Sequence, residues 1–139
     1  MEEREALELL RRQRHSLINH LQVVSGWLQL DRADRARQYL ESVAARIAVE
    51  ADSTRQFPPA LALVALALSL DAETYGVAIS WQASEPVAAL EGSQLVALEA
   101  QVSAAVQAAS SAPEGARKVE VRIGPGGIAV HTPSDKGEG

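Results

Sequence analysis

Apolar residues over the first thirty positions recur at intervals of three and four, the spacing of one helix face. At about 100° per residue, with His15 set at zero, Ala6, Leu10, Leu17, Val24 and Leu28 fall within roughly 40° of the opposite pole, and Leu21 within roughly 60°. Arg11, Asn19, Gln22 and Gly26 fall within roughly 40° of His15 itself. The segment contains no proline and one glycine. It predicts a single long helix from Glu2 to about Leu30, with a core-facing leucine stripe and His15 at the centre of the wet face. Asp31-Arg32-Ala33-Asp34 reads as a turn, with Asp34 a suitable N-cap. A second helix is expected from Arg35 to Ser53, with the stripe Ala36, Tyr39, Leu40, Val43, Ile47 and Ala51. A short turn between two long helices gives an antiparallel hairpin.

Two helices do not cover both stripes, because Val23, Trp27 and Leu30 widen the apolar sector of the first. Self-association of two hairpins into a four-helix bundle resolves this. Folding of the C-terminal part over the hairpin is the alternative.

Thr54 to Pro59 breaks the pattern and reads as a linker. Beyond it, Pro59 suits the first turn of a third helix, which Gly76 ends. Val77 to Trp81 alternates as a strand does, and Glu91 to Ser111 reads as a fourth helix rich in Ala and Val. Lys118–Ile123 and Ile128–His131 read as strands joined through Gly124-Pro125-Gly126-Gly127, a hairpin signal. The fold class expected is α+β: a helical hairpin over 1–55, a small α/β domain over 59–133, and a tail over 134–139.

Composition narrows the chemistry. The 139 residues are 47% hydrophobic but only 4% aromatic, so the core must be aliphatic. A net charge of -5 argues against nucleic acid as a partner. The absence of cysteine excludes disulfides, thiol catalysis and cysteine-bound zinc. Three histidines, His15, His20 and His131, form no metal-ligand cluster in sequence. The N-terminus lacks the apolar run of a secretory signal, and Ala60 to Leu70 is too short to cross a bilayer. A soluble cytoplasmic protein with no membrane contact is expected.

An exposed imidazole is a neutral nucleophile for much of its population near pH 7. Arginines beside it can meet an incoming phosphoryl group. Arg11 lies nearest the His15 meridian. Arg14 is about 100° off and could equally pair with a glutamate. Asn19 and Gln22 flank His15 one and two turns later. His15 is therefore the candidate phosphoryl acceptor. Arg11, Arg14, Asn19 and Gln22 are the candidate contacts to the phosphoryl group or a partner. His20, about 140° round the helix, is expected to pack or to hydrogen-bond at an interface, and His131 to be structural.

The Arg14-His15 pair, Asn19, and Leu21-Gln22-Val23-Val24-Ser25-Gly26 with Leu28 and Leu30 resemble the phospho-acceptor helix of the sporulation initiation phosphotransferase B family. The related citrate- and malate-type sensor kinases carry a similar helix. Arg35-Ala36-Arg37-Gln38-Tyr39-Leu40 is similar to the second helix of that hairpin. The resemblance implies a homodimeric four-helix bundle displaying His15. It implies transfer of a phosphoryl group from the aspartyl phosphate of one response-regulator receiver domain to that of another. The protein would need no cofactor of its own, with Mg²⁺ carried by the regulator. The remainder resembles the ATPase domain of such kinases in its order of elements.

Two departures bear on the activity. Ser16 stands where the family has an acidic residue that assists autophosphorylation from ATP. Ser103-Ala104-Ala105-Val106-Gln107 stands where such kinases carry a magnesium-binding asparagine. Asp135-Lys136-Gly137-Glu138-Gly139 has glycine-box spacing but lies in the last five residues. A relay phosphotransferase without autokinase activity is the reading favoured. A degenerate histidine kinase and a non-catalytic regulator-binding module are the alternatives.

Overall fold

The computed structural model describes residues 2–83 and 85–132. The chain divides into two compact units, residues 1–49 and the chain from Glu50 onward. The expected tail and the Asp135–Gly139 box lie outside the described residues.

The first unit is an antiparallel pair, α1 (Glu3–Gln29) and most of α2 (Ala33–Thr54). Glu2 caps α1 through a reciprocal box: its side chain accepts from the N3 backbone, and its own N–H donates to Glu5 Oε1 at 3.1 Å. At the other end Asp31 takes φ 62°, in the left-handed region. Arg32 N–H then donates to Trp27 O at 2.8 Å and Asp31 N–H to Leu28 O at 3.0 Å, which satisfies two terminal carbonyls.

α2 starts earlier than the sequence pattern implied. Asp34 lies inside its first turn and is not its cap. Its carboxylate accepts from Arg32 Nε and Nη2, both at 3.1 Å, which holds the Asp34 pKa below the usual carboxylate value. The side chain is spent on this fork, and an acid in the first turn already suits the helix dipole.

The second unit is a two-layer sandwich. α3 (Pro59–Thr74) and α4 (Gly92–Ala109) lie against a sheet of β1 (Ala78–Ala83), β2 (Lys118–Gly124) and β3 (Gly127–His131). Strand order is β1-β2-β3. β1 pairs parallel with β2, Ala78 opposite Lys118, and β2 pairs antiparallel with β3, Glu120 opposite His131. The parallel pair is possible because α4 carries the chain back between the two strands. A short 3-10 turn, Glu114–Ala116, which the sequence pattern did not suggest, leads into β2.

Alternation places Ile79, Trp81, Val119, Val121 and Ile123 on the buried face of the sheet. From α3, Leu61, Ala65, Leu68 and Ala72 meet them, and from α4, Leu98, Val102, Val106 and Ala109. Both sets follow helical spacing on one face. Trp81 is 1% exposed and packs edge-on to Phe57, with ring centroids 6.2 Å apart. Its indole Nε1–H donates to Ser69 Oγ at 2.8 Å, and that hydroxyl donates to Glu50 Oε2 at 3.0 Å. Phe57, within the stretch read as linker, is thus a core residue.

Candidate functional site

α1 presents three distinct faces. On the first, His20 and Trp27 meet α2. A hydrogen bond of 2.6 Å joins His20 Nδ1 and the Tyr39 hydroxyl, and the Arg35 guanidinium lies 5.8 Å from the centre of the Trp27 ring. Buried Leu9 and half-buried Ser16 lie within about 40° of the same meridian.

The second face is the leucine stripe. The periodicity marked it as core-facing, yet Leu10, Leu17, Leu21 and Leu28 are each more than half exposed. On α2, Leu40 and Ile47 are exposed as well, although Ala36 is buried and Tyr39 and Val43 are half-buried. The seam between the helices therefore runs through a more polar set of residues than the stripe read from the sequence. The reason is geometric. A helical wheel finds the widest apolar sector, not the sector that a particular neighbour covers.

The third face carries His15. The helix is unbroken from Glu3 to Gln29, so Arg11, Asn19, Gln22 and Gly26 hold the predicted bearings, within roughly 40° of His15. His15, Arg11, Asn19 and Gln22 are all exposed. One turn separates His15 from Arg11 and from Asn19, the spacing at which helical side chains are neighbours. Arg14 is also exposed but is turned about 100° away, between the His15 face and the leucine stripe. Arg12 and Ser16 turn the other way, are half-buried and have partners of their own. The residue after His15 therefore points about 100° away from the imidazole face.

Gly26 lies on the His15 face three turns further along. Its backbone is ordinary helix, and a Cβ built there would meet nothing within 4 Å. Glycine at such a position costs about 1 kcal/mol relative to alanine.

Two interactions were not legible in sequence. Tyr39 reads as one more stripe residue on α2, yet it is the hydrogen-bond partner of His20. The sequence did mark His20 as an interface hydrogen-bonder. His131 has no partner near it in sequence, but the β2–β3 register sets it opposite Glu120. Its Nε2 lies 3.0 Å from Glu120 Oε1.

In the second unit, an open cleft of about 580 Å³ lies over Gln82, Arg122 and the Gly124–Gly127 turn. Arg122 is already engaged there: its Nε donates to Gln82 Oε1 at 3.0 Å, and Nη2 lies 3.8 Å from Glu120. Among the described residues, no three His, Cys, Asp or Glu side chains converge to hold a metal. Nor is any helix among them long and apolar enough to cross a membrane.

A histidine displayed on a helical hairpin, set apart from both the seam and a free leucine stripe, fits the helical domains of two-component signalling. Residues 1–55 match the family model described as the sensor kinase SpoOB-type, alpha-helical domain. Over this part the chain is similar to SpoOB-type helical domains; the match spans 55 of the 139 residues. No curated protein matches the chain, and no solved structure does.

Proposed function

We propose that the protein is a phosphorelay histidine phosphotransferase acting through His15. The observation that carries this reading is the exposure of His15 on a face of α1 that neither the α2 seam nor the leucine stripe uses. The SpoOB-type match of the same helix supports it.

An imidazole nitrogen of His15 attacks the phosphorus of an aspartyl phosphate on a receiver domain. The P–N bond forms, the P–O bond to the aspartate breaks, and the carboxylate leaves with the electron pair. A second receiver's aspartate reverses the step, forming P–O and returning the electron pair to the imidazole. Such transfers depend on alignment and charge neutralisation more than on covalent help from the protein. In this reading Arg11 meets phosphoryl oxygens, and Asn19 and Gln22 orient the ring or touch the partner. Arg14 contributes positive charge at the margin. Mg²⁺ belongs to the receiver domain, and the protein supplies no cofactor of its own.

The active form in this reading is a homodimer in the cytoplasm. Leu10, Leu17, Leu21 and Leu28 of two copies would pack into a four-helix bundle. Burial of a leucine is worth roughly 1.5–3 kcal/mol when complete, so a half-exposed stripe leaves several kcal/mol for association. The second unit would stand as a reduced counterpart of a kinase ATPase domain.

The test is a transfer assay with purified receiver domains carrying labelled aspartyl phosphate and, separately, labelled ATP. Acid-labile label should arrive from the receiver alone. It should be absent in His15→Ala and retained in His20→Ala. Label arriving from ATP would make the protein a kinase instead. No label from either source would leave a binding module.

A further inference from the structure

The second unit carries a cleft that transfer at His15 does not use. Its volume is about 580 Å³, inside the range of roughly 300–1,000 Å³ that small-molecule sites occupy. It lies where the parallel strands β1 and β2 both end, at Gln82–Ala83 and Arg122–Gly124. Open sheets with parallel strands bind their ligands outside that carboxyl end. Ser53, in the last turn of α2, and the glycine-rich turn after β2 contribute to the lining.

Three features of the lining suit an anion. Arg122 is the one charged residue among the described lining residues; Glu120 is not part of the lining. The Arg122 guanidinium is fixed at one end, because Nε donates to Gln82 Oε1 at 3.0 Å and Gln82 Nε2 donates to Ser80 Oγ at 3.2 Å. Its Nη2 lies 3.8 Å from Glu120 Oε1, beyond hydrogen-bond range. Among the described residues the Nη groups therefore keep their donors unspent, on a side chain that is 63% exposed. A guanidinium held at Nε and open at Nη can meet two oxygens of a carboxylate or phosphate at once. Ser53 is the second feature: it is half-buried, and its hydroxyl makes no hydrogen bond among the described residues. The turn is the third. Nothing stands within 4 Å of a Cβ built on Gly126 or Gly127, so a ligand can come close to the backbone there. Ile123, Ile128 and Ala129 add apolar surface beside these polar groups. A bare inorganic ion would leave that surface wet.

We propose that this cleft binds a small organic anion, a carboxylate or phosphate group borne on a compact apolar body. Arg122 takes the oxyanion through its Nη groups, and Gln82 is a positioning residue that aims the guanidinium. Ser53 offers a second polar contact, and the apolar body lies on Ile128 and Ala129. The site belongs to the second unit alone and does not depend on the transfer reading.

The test is a titration of the isotope-labelled full chain, followed through the backbone amide resonances of Gln82, Gly126 and Gly127. The probes are phenyl phosphate, benzoate, inorganic phosphate and benzyl alcohol. Saturable shifts at these amides are expected with phenyl phosphate or benzoate, and the tighter of the two names the preferred oxyanion. Inorganic phosphate and benzyl alcohol should each bind about tenfold more weakly or worse, since each lacks one half of the ligand. Arg122→Gln should weaken the better probe about tenfold or more, the worth of a charge-assisted hydrogen bond. Ala129 stands opposite Arg122 in the β2–β3 register. Ala129→Phe should fill the cleft and abolish the shifts with every polar group in place, which keeps the test decisive if Arg122→Gln fails to fold. His15→Ala should bind the probe as wild type does. Absence of saturable shifts with both organic anions up to about 10 mM would overturn the proposal. So would wild-type affinity in Ala129→Phe, or benzyl alcohol binding as tightly as phenyl phosphate. Inorganic phosphate binding as tightly as phenyl phosphate would overturn the apolar body.

Discussion

The two units solve the burial problem in opposite ways. The second encloses its core: of the eighteen buried hydrophobic residues among the described residues, sixteen lie beyond Glu50, among them Trp81, Leu61, Leu98 and Val119. Among the described residues the hairpin contributes Leu9 and Ala36. It holds eleven of the thirteen large hydrophobic side chains that stand exposed among the described residues, Leu7 to Val49. Their hydrophobic content is similar in kind, so composition does not distinguish them. The difference lies in geometry. A sheet with two helices on one face covers an apolar layer completely, whereas two helices side by side cover one sector each and leave the next one open.

The comparison breaks most readily at the leucine stripe. Leu17→Asp with Leu21→Asp should abolish the proposed association of two hairpins. The loss is on the order of 3–6 kcal/mol per dimer, counting each half-exposed leucine at about half the roughly 1.5–3 kcal/mol of full burial in each copy. Sedimentation equilibrium would register it as a monomer, while Trp81 keeps its buried emission. A double variant that sediments as wild type does would remove the stripe from the interface.

Leu98→Ala tests the enclosed unit. A cavity in that core should cost about 2–5 kcal/mol, read as a lower denaturation midpoint of the second unit. Retention of helical signal from the hairpin at that midpoint would show that the two units melt separately. Tyr39→Phe probes the seam of the hairpin and should cost about 1 kcal/mol, the net worth of one hydrogen bond. A loss of zero would mean that His20 finds water without penalty.

The smallest effect contrasts two helix ends of the same construction. α1 and α3 both close with paired backbone bonds around a left-handed residue, Asp31 in one and Gly76 in the other. Asp31→Gly should stabilise the hairpin by roughly 0.5–1 kcal/mol, because glycine holds that conformation without a Cβ penalty. Gly76→Asp should do the reverse. Equal and opposite changes in thermal midpoint would establish the symmetry, and a destabilising Asp31→Gly would refute it.

Much of this was legible in the sequence, and the exceptions share a cause. Periodicity marks α1, α2 and α4 to within a few residues, and Pro59 and Gly76 bracket α3. Order within the second unit, helix-strand-helix-strand-strand, is readable from alternation and from the glycine-rich turn. Pairing is not readable, because a strand's pattern does not name its neighbour; the parallel β1–β2 ladder and the His131–Glu120 contact follow only from register. The placement of His15 among Arg11, Asn19 and Gln22 is legible because a helix converts spacing directly into bearing. The seam is the failure. The leucines look like core and stand exposed, while the contact with α2 runs through His20 and Tyr39, and through Trp27 and Arg35.

The middle position of β2 sets the order in which the molecule can be made. β1 and β3 each pair with β2 and not with each other, and the β1–β2 ladder joins residues forty positions apart. The hairpin leaves the ribosome first and closes on local contacts, within microseconds to milliseconds for such topologies. The sheet has no ladder at all until Lys118–Gly124 has been synthesised. A nascent chain therefore displays its leucine stripe while α3, β1 and α4 still wait for their last partner. A chain cut before Lys118 would keep the hairpin and lose the strand pairings, taking Val119 and Val121 from beside Ile79 and Trp81.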